Sequence, residues 1–94
     1  MADLPWEIKL KKFLSFLELI GLEYKGRESS HMKYDFPRNK KQLSQPVIVD
    51  QHGDMVPRMH VLSNLKTINI SPLELEKYLK NKKYKPKTSN KYYK

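Results

Sequence analysis

The chain has 94 residues, no cysteine and a formal net charge of +9. This length suffices for one small domain with a single core, and the lack of cysteine excludes a disulfide framework and a thiolate metal site. No apolar run approaches the roughly 20 residues of a membrane helix, and the first residues carry neither a basic region nor a cleavage site, so we expect a soluble cytoplasmic protein without a membrane partner.

The first predicted element is a helix that begins near Pro5 and ends before Gly21. Asp3 is a suitable N-cap, and Pro5 fits the first turn, where its missing N–H costs nothing. Gly21 suits the left-handed position that terminates a helix. Apolar residues recur at helical spacing between these limits, at Leu10, Phe13, Leu14, Leu17 and Ile20.

A strand is predicted over residues 29–36, because apolar and polar side chains alternate there with a period of two. One face would be buried and consists of Met32, Tyr34 and Phe36. The other face would be exposed and consists of His31, Lys33 and Asp35. A histidine and a lysine would therefore lie side by side on an open face, close enough for both to reach one phosphodiester.

Two further strands are predicted around this one. Residues 22–25 alternate and indicate a short strand, which a polar turn at residues 26–29 joins to the second strand. Residues 47–49 follow Pro46 and form the most strongly β-prone segment. The short connections favour an antiparallel meander of three strands.

Two helices are predicted in the second half. One begins at Pro57 and has an inner stripe of Met59, Leu62 and Leu65, which Val61 and Ile68 widen. The other is a short C-terminal helix. Its start has the spacing of a capping box, with Ser71 and Glu74 around Pro72, and its inner face would hold Leu75, Tyr78 and Leu79.

The positive charge is concentrated at the C-terminal end. Residues 1–79 hold twelve lysines and arginines against ten acidic residues, whereas residues 80–94 hold seven lysines and no acid. We expect residues 1–79 to form the single α+β domain and residues 80–94 to be a basic Lys/Tyr-rich tail that is disordered in isolation. Such an excess of positive charge favours nucleic acid or an acidic protein as the partner.

The order of these elements, with an exposed histidine at the head of the second strand, resembles the HicA family of bacterial and archaeal toxins. The likeness covers roughly residues 8–80 and rests on the order and spacing of short motifs rather than on any one of them. The motifs are residues 17–22, Ser30-His31 with Lys33-Tyr34, residues 47–49 with His52-Gly53, and residues 62–71 leading into Leu73-Glu74. Ser29 stands where the family has glycine, and Asp50 stands where it tends to have proline.

The resemblance implies an α-β-β-β-α fold like that of double-stranded-RNA-binding domains, with a three-stranded antiparallel sheet and helices on one face. It also implies the toxin component of a type II toxin–antitoxin system, an mRNA interferase that cleaves mRNA without a metal or other cofactor. His31 would be the catalytic residue of this hydrolase. The partners would be mRNA and a HicB-like antitoxin protein.

RNA cleavage of this kind uses the substrate's own 2′-hydroxyl as nucleophile. A neutral His31 would accept that proton or a cationic His31 would protonate the leaving 5′-oxygen, since histidine titrates near neutral pH. The second proton would pass through His52, a lysine or water. The residues predicted to bind RNA are Lys25, Arg27, Ser30, Lys33, Arg38, Lys40 and Lys41.

Other readings of the same residues stay open. A non-catalytic RNA-binding module would use the same charges, with His31 incidental and His52 an ordinary turn residue. A protein-interaction domain would use the tail or an open sheet edge. His60 is interpreted as a helix residue that is partly buried or faces solvent. The three histidines do not have the spacing of a metal site.

Overall fold

A computed structural model describes residues 3–29, 31–39, 42–50 and 53–86. It is a small α+β domain with the element order β1 (Glu7–Lys9), α1 (Leu10–Ile20), β2 (Glu23–Glu28), β3 (His31–Asp35), β4 (Val47–Asp50), β5 (Met55–Pro57), α2 (Arg58–Thr67) and α3 (Pro72–Lys80). Strands β2, β3 and β4 form an antiparallel sheet in that order, and β1 pairs with β5 in a second antiparallel pair. No helix among the described residues is long and apolar enough to cross a membrane.

The predicted three-stranded antiparallel meander is confirmed. Strand β2 is longer than predicted, because Gly26 and the two residues after it continue pairing with β3 across an irregularity in register next to Tyr24. The predicted turn over residues 26–29 is therefore wrong for residues 26–28. Ser29 is the turn residue that the structure describes between β2 and β3, and it has a positive φ of 60°.

Helix α1 begins five residues later than predicted, at Leu10. Residues 7–9 are extended because they pair with β5, and the Leu10 N–H donates to the Asp54 carbonyl oxygen at 2.8 Å. The C-terminal end of α1 is as predicted. Gly21 is left-handed, with a φ of 115°, and the Leu22 N–H closes the turn on the Leu17 carbonyl at 3.1 Å.

Helix α2 presents a different face to the core from the one predicted. Met59 is 78 % exposed and Leu62 is 38 % exposed, so the prediction that they belong to the core is wrong. Leu65 is fully buried, as predicted. The inward stripe runs through Val61, Asn64, Leu65 and Ile68. The contacts of α2 with β4 and β5 select this stripe, which lies beside the predicted one on the helix surface.

Helix α3 follows the prediction closely. The Leu73 N–H donates to Ser71 Oγ at 3.2 Å, which confirms the N-cap, and Leu75 and Tyr78 are buried. Beyond the helix, Tyr84 packs against the core and its hydroxyl donates to Glu74 Oε1 at 2.7 Å. This hydrogen bond raises the pKa of Tyr84. Residues 87–94 of the predicted tail lie outside the described residues.

The core lies between the inner face of the three-stranded sheet and the helices. Its fully buried members come from α1, β4, β5, α2 with the turn after it, and α3: Phe13, Phe16, Leu17, Ile20, Val47, Val49, Val56, Val61, Leu65, Ile68 and Leu75. Burial of these side chains on one side of the sheet leaves its other side open. His31 and Asp50 lie on that open side.

Candidate active site

The open face of β3 carries His31 and Lys33, as predicted. Met32 and Tyr34 are 5 % and 3 % exposed and point into the core, whereas the side chain of His31 is 50 % exposed. Lys33 follows on the same face two residues later, between Gly26 of β2 and Ile48 of β4. The imidazole is therefore outside the hydrophobic layer, and Lys33 lies two residues away on the same face.

Asp50 lies directly across the sheet from His31. The two residues are paired in the β3–β4 register, and His31 Nε2 lies 2.5 Å from Asp50 Oδ1. Strand β4 alternates, with Val47 and Val49 fully buried, so Asp50 falls on the same face as His31. Oδ1 is buried from solvent and accepts no properly directed hydrogen bond. Its close contact is with the His31 ring.

The second oxygen of Asp50 contacts another histidine. His60 is in the first turn of α2, and its Nδ1 lies 3.3 Å from Asp50 Oδ2. The His60 side chain is 46 % exposed, close to the value for His31. One carboxylate thus bridges two half-exposed imidazoles that come from a strand and a helix.

This arrangement uses one nitrogen of each ring and leaves the other nitrogen outside the bridge. Asp50 contacts Nε2 of His31 and Nδ1 of His60, so Nδ1 of His31 and Nε2 of His60 take no part in the bridge. A carboxylate in contact with an imidazole helps to hold the ring in one position. Two side chains of the type that most often transfers protons in enzymes thus meet at one carboxylate.

A cleft opens beside the two histidines, between β4 and α2. Its volume is about 360 Å³. Three of its lining residues are His31, Asp50 and His60, and the others are Gln45, Pro46, Ile48, Ser63, Asn64 and Thr67. The cleft therefore gives a ligand room next to the two imidazoles. A histidine that was packed against a carboxylate with no cleft beside it would offer no such room.

The structure brings few of the other predicted cationic residues to this face. Lys25 is held by Glu23, with 2.7 Å between Nζ and Oε1. Arg27 is paired with Met32, a core residue, and so projects from the opposite face of the sheet. Arg38 lies beyond the far end of β3, more than about 13 Å along the strand from His31.

Four of the predicted site residues, Ser30, Lys40, Lys41 and His52, lie outside the described residues. Of the predicted cations that the structure describes, Lys33 is the one that stands beside His31. Ser29, at the position of the family's glycine, has the left-handed backbone that favours glycine.

The sequence prediction included neither Asp50 nor His60 in the site. Asp50 had a detectable signal, since it continues the alternation of β4 on the outer face and a hairpin register would place it near His31. His60 had none, because its approach to β4 depends on how α2 packs. Neither residue is near His31 in the chain.

No protein-family model matches this sequence, no curated protein matches it, and no solved structure matches the fold. The likeness to HicA toxins thus rests on the short motifs alone. The observations that bear on function are the geometry of His31, Asp50 and His60 and the charge of the chain.

Proposed function

We propose that the protein is an endoribonuclease that cleaves RNA without a metal, using His31 and His60 as its two proton-transfer groups. The observation that supports this most directly is the contact of two half-exposed imidazoles with the two oxygens of Asp50, at 2.5 and 3.3 Å. A cleft of about 360 Å³ lies against both rings.

The proposed reaction is an internal transesterification. The 2′-oxygen of one ribose attacks the adjacent phosphorus and forms an O2′–P bond, while the P–O5′ bond breaks. One imidazole takes the proton of the 2′-hydroxyl, and the other, in its cationic form, gives a proton to the leaving 5′-oxygen. The products are a 2′,3′-cyclic phosphate and a 5′-hydroxyl, and the two rings have exchanged protonation states.

A pair of histidines answers a chemical requirement that a single histidine does not meet. One ring cannot accept and donate in the same concerted step, so a second group has to be within reach of the same phosphate. His60 fills this role better than His52, a lysine or water, because it shares a carboxylate with His31. Asp50 is a positioning residue that orients both rings and stabilises whichever is cationic.

Lys33 is proposed to stabilise the developing negative charge on the phosphate oxygens. Its side chain is exposed on the same face as His31, two residues along β3. A cation in this position would act where negative charge develops during the reaction. The excess of lysines in residues 80–94 would raise the local concentration of RNA in a salt-dependent way.

The toxin role and the HicB-like antitoxin remain proposals that rest on the resemblance to HicA. An inhibitory partner that covered the cleft would block both imidazoles, since both are half exposed at its edge. A fold like that of double-stranded-RNA-binding domains is part of the same proposal. Growth arrest on expression, relieved by His31→Ala in a protein that still folds, is the corresponding cellular test.

The direct test compares His31→Ala, His60→Ala and His52→Ala with the wild-type protein on single-stranded RNA in the presence of EDTA. We expect the first two to reduce kcat by about 10²- to 10⁴-fold each. His52→Ala tests the alternative second proton-transfer group, and we expect it to keep near-normal activity because His60 takes that role. RNA ends should carry 2′,3′-cyclic phosphate and 5′-hydroxyl groups.

Two results would refute the nuclease proposal. In one, wild-type protein leaves every RNA intact while still binding it, which would identify a non-catalytic RNA-binding module. In the other, cleavage persists unchanged in both His31→Ala and His60→Ala. Circular dichroism of each variant shows whether a lost activity reflects a lost fold.

A further inference from the structure

Asn64 is a buried polar residue of α2 whose amide group is not satisfied. Asn64 is one of the residues that line the cleft, it is only 7 % exposed, and its Nδ2 has no hydrogen-bond partner. Leaving a buried amide donor unpaired is unfavourable, and native proteins keep such groups rare. The position therefore calls for an explanation other than packing.

Packing alone would favour an apolar residue at this position. The neighbours of Asn64 on the inward stripe of α2 are Val61, Leu65 and Ile68, all of them fully buried. Leucine has nearly the same shape as asparagine and no donor to leave unpaired. The amide at residue 64 is thus better suited to a ligand in the cleft than to the core.

The position of Asn64 relates it to the proposed reaction. It follows His60 by four residues, so the two lie on one side of α2 with about 5–6 Å between their Cβ atoms. A ligand group that contacts Asn64 is consequently close to the His60 imidazole, because the two side chains are neighbours on the helix surface. For a ribonuclease, the part of the substrate found there is a nucleobase next to the scissile phosphate.

The lining of the cleft suits a flat heteroaromatic ring. Pro46 and Ile48 contribute apolar surface to the lining, while Gln45, Ser63 and Asn64 contribute polar groups. Ligand sites commonly combine apolar walls with a few convergent polar groups, and about 360 Å³ is within their size range. Proteins recognise unpaired RNA bases through such contacts with their faces and edges.

We propose that this cleft is a nucleobase subsite in which the Asn64 amide hydrogen-bonds an acceptor on the base adjacent to the cleaved phosphate. The inference rests on the proposed nuclease function for the position of that phosphate. In the free protein Nδ2 exposes less than 1 Å². Contact with a base requires rotation of the terminal amide, a torsion with a broad and shallow potential.

The subsite predicts an unusual combination of effects for Asn64→Leu. The free energy of unfolding should stay the same or rise, because an unpaired buried donor is removed without creating a cavity. Binding of 3′-nucleoside monophosphates should weaken about tenfold, the loss expected for one hydrogen bond. In a packing role, by contrast, Asn64→Leu would leave nucleotide binding unchanged.

The experiment titrates wild type, Asn64→Leu and Met59→Leu with 3′-UMP, 3′-CMP, 3′-AMP and 3′-GMP by NMR. Met59 is the control, since it is on the same helix, is 78 % exposed and does not line the cleft. The Asn64 side-chain amide resonances of the wild-type protein should shift on titration. This last measurement needs no variant and keeps the test valid even if Asn64→Leu fails to fold.

The possible outcomes separate this subsite from the nuclease activity. Nucleotide binding that depends on Asn64, in a protein that cleaves no RNA, would support the subsite and reject the proposed reaction. Cleavage by wild type with the same rate and base preference in Asn64→Leu would reject the subsite and keep the reaction. Absence of any shift at Asn64 with all four nucleotides at millimolar concentration would also overturn the subsite.

Discussion

His60, in the first turn of α2, contacts Asp50 at the end of β4, with 3.3 Å between Nδ1 and Oδ2. The contact joins the second half of the chain to the open face of the sheet at the point where Asp50 already holds His31. Because the carboxylate is shared, a change at Asp50 acts on both rings at once. The effects of the three residues on activity should therefore be strongly non-additive.

Asp50→Asn is expected to reduce kcat by about 10²-fold or more and to change KM little, since the amide keeps the shape but neither stabilises an imidazolium nor fixes both rings in one tautomer. Steady-state cleavage of a defined RNA measures both constants. Asp54→Asn, in the exposed turn before β5, removes the same charge and should leave kcat near the wild-type value. A rise in KM with unchanged kcat would contradict the positioning role.

The cleavage rate is expected to depend on pH with a bell shape, because one imidazole has to be neutral and the other cationic in the same complex. In His60→Ala and in His31→Ala the residual rate should lose one limb of the bell, since one of the two proton-transfer groups is gone. Rates measured between pH 5 and pH 9 at constant ionic strength test this. A bell that survives intact in both variants would show that other groups transfer the protons.

Ser29→Gly is expected to stabilise the fold by about 0.5–1 kcal/mol, because Ser29 has a left-handed φ of 60° that glycine adopts without steric cost. Urea unfolding at pH 7 measures the change in the free energy of unfolding. The opposite substitution at a nearby position, Gly26→Ala, should destabilise by about 1–3 kcal/mol. Gly26 has a φ of 136°, a backbone conformation that residues with a side chain rarely adopt. The alanine variant would be strained for this reason and not by crowding, since an added Cβ would meet open space.

In Tyr34→Phe, the free energy of unfolding is expected to fall less at alkaline pH than in the wild-type protein. Burial, followed by the nearby charge of Glu18, raises the pKa of Tyr34 above its ordinary value near 10. A group whose pKa is raised on folding contributes stability that is full below its unfolded pKa and is lost as the pH rises through the folded value. The wild-type protein should consequently weaken above about pH 10 more than the variant.

The measurement for Tyr34 is a double difference. Unfolding by urea is followed for wild type and Tyr34→Phe at pH 8 and at pH 10.5, so that general effects of lysine deprotonation cancel between the two proteins. A constant difference between them at both pH values would show that the Tyr34 hydroxyl does not titrate with folding.

Tyr84→Ala is expected to lower the melting temperature, because the ring packs against the core and the hydroxyl donates to Glu74. Lys85→Ala, one residue later and exposed, should have no such effect. Equal melting temperatures for the two variants would show that the segment after α3 does not support the domain. Differential scanning fluorimetry suffices for the comparison.

Several features of this protein follow from the sequence because they depend on the order of residues within one element. The alternation in β3 places Met32 and Tyr34 inside and His31 outside, and the left-handed Gly21 ends α1 where its pattern stops. Ser71 caps α3 for the same local reason. Periodicity and end signals report which face of an element is buried and where the element ends.

Other features depend on how elements pack, and the local patterns misplace them. Pairing of β1 with β5 delays the start of α1 to Leu10, and contacts with the sheet turn α2 so that Met59 faces solvent. Strand register sends Arg27 to the face opposite His31. The spacing of nearby residues narrows the choice of strand register and of buried helix face, and packing against the other elements decides between the remaining choices.

The sequence by itself determined one half of the candidate site, an exposed histidine beside a lysine on an alternating strand. Only the tertiary structure decided the other half, the meeting of His31, Asp50 and His60 around one carboxylate and the cleft beside them. Asp50 reaches His31 through the register of two strands, and His60 reaches Asp50 through the packing of α2 against β4. These are contacts between residues distant in the chain, and their geometry is set by the burial of the whole core rather than by any local pattern.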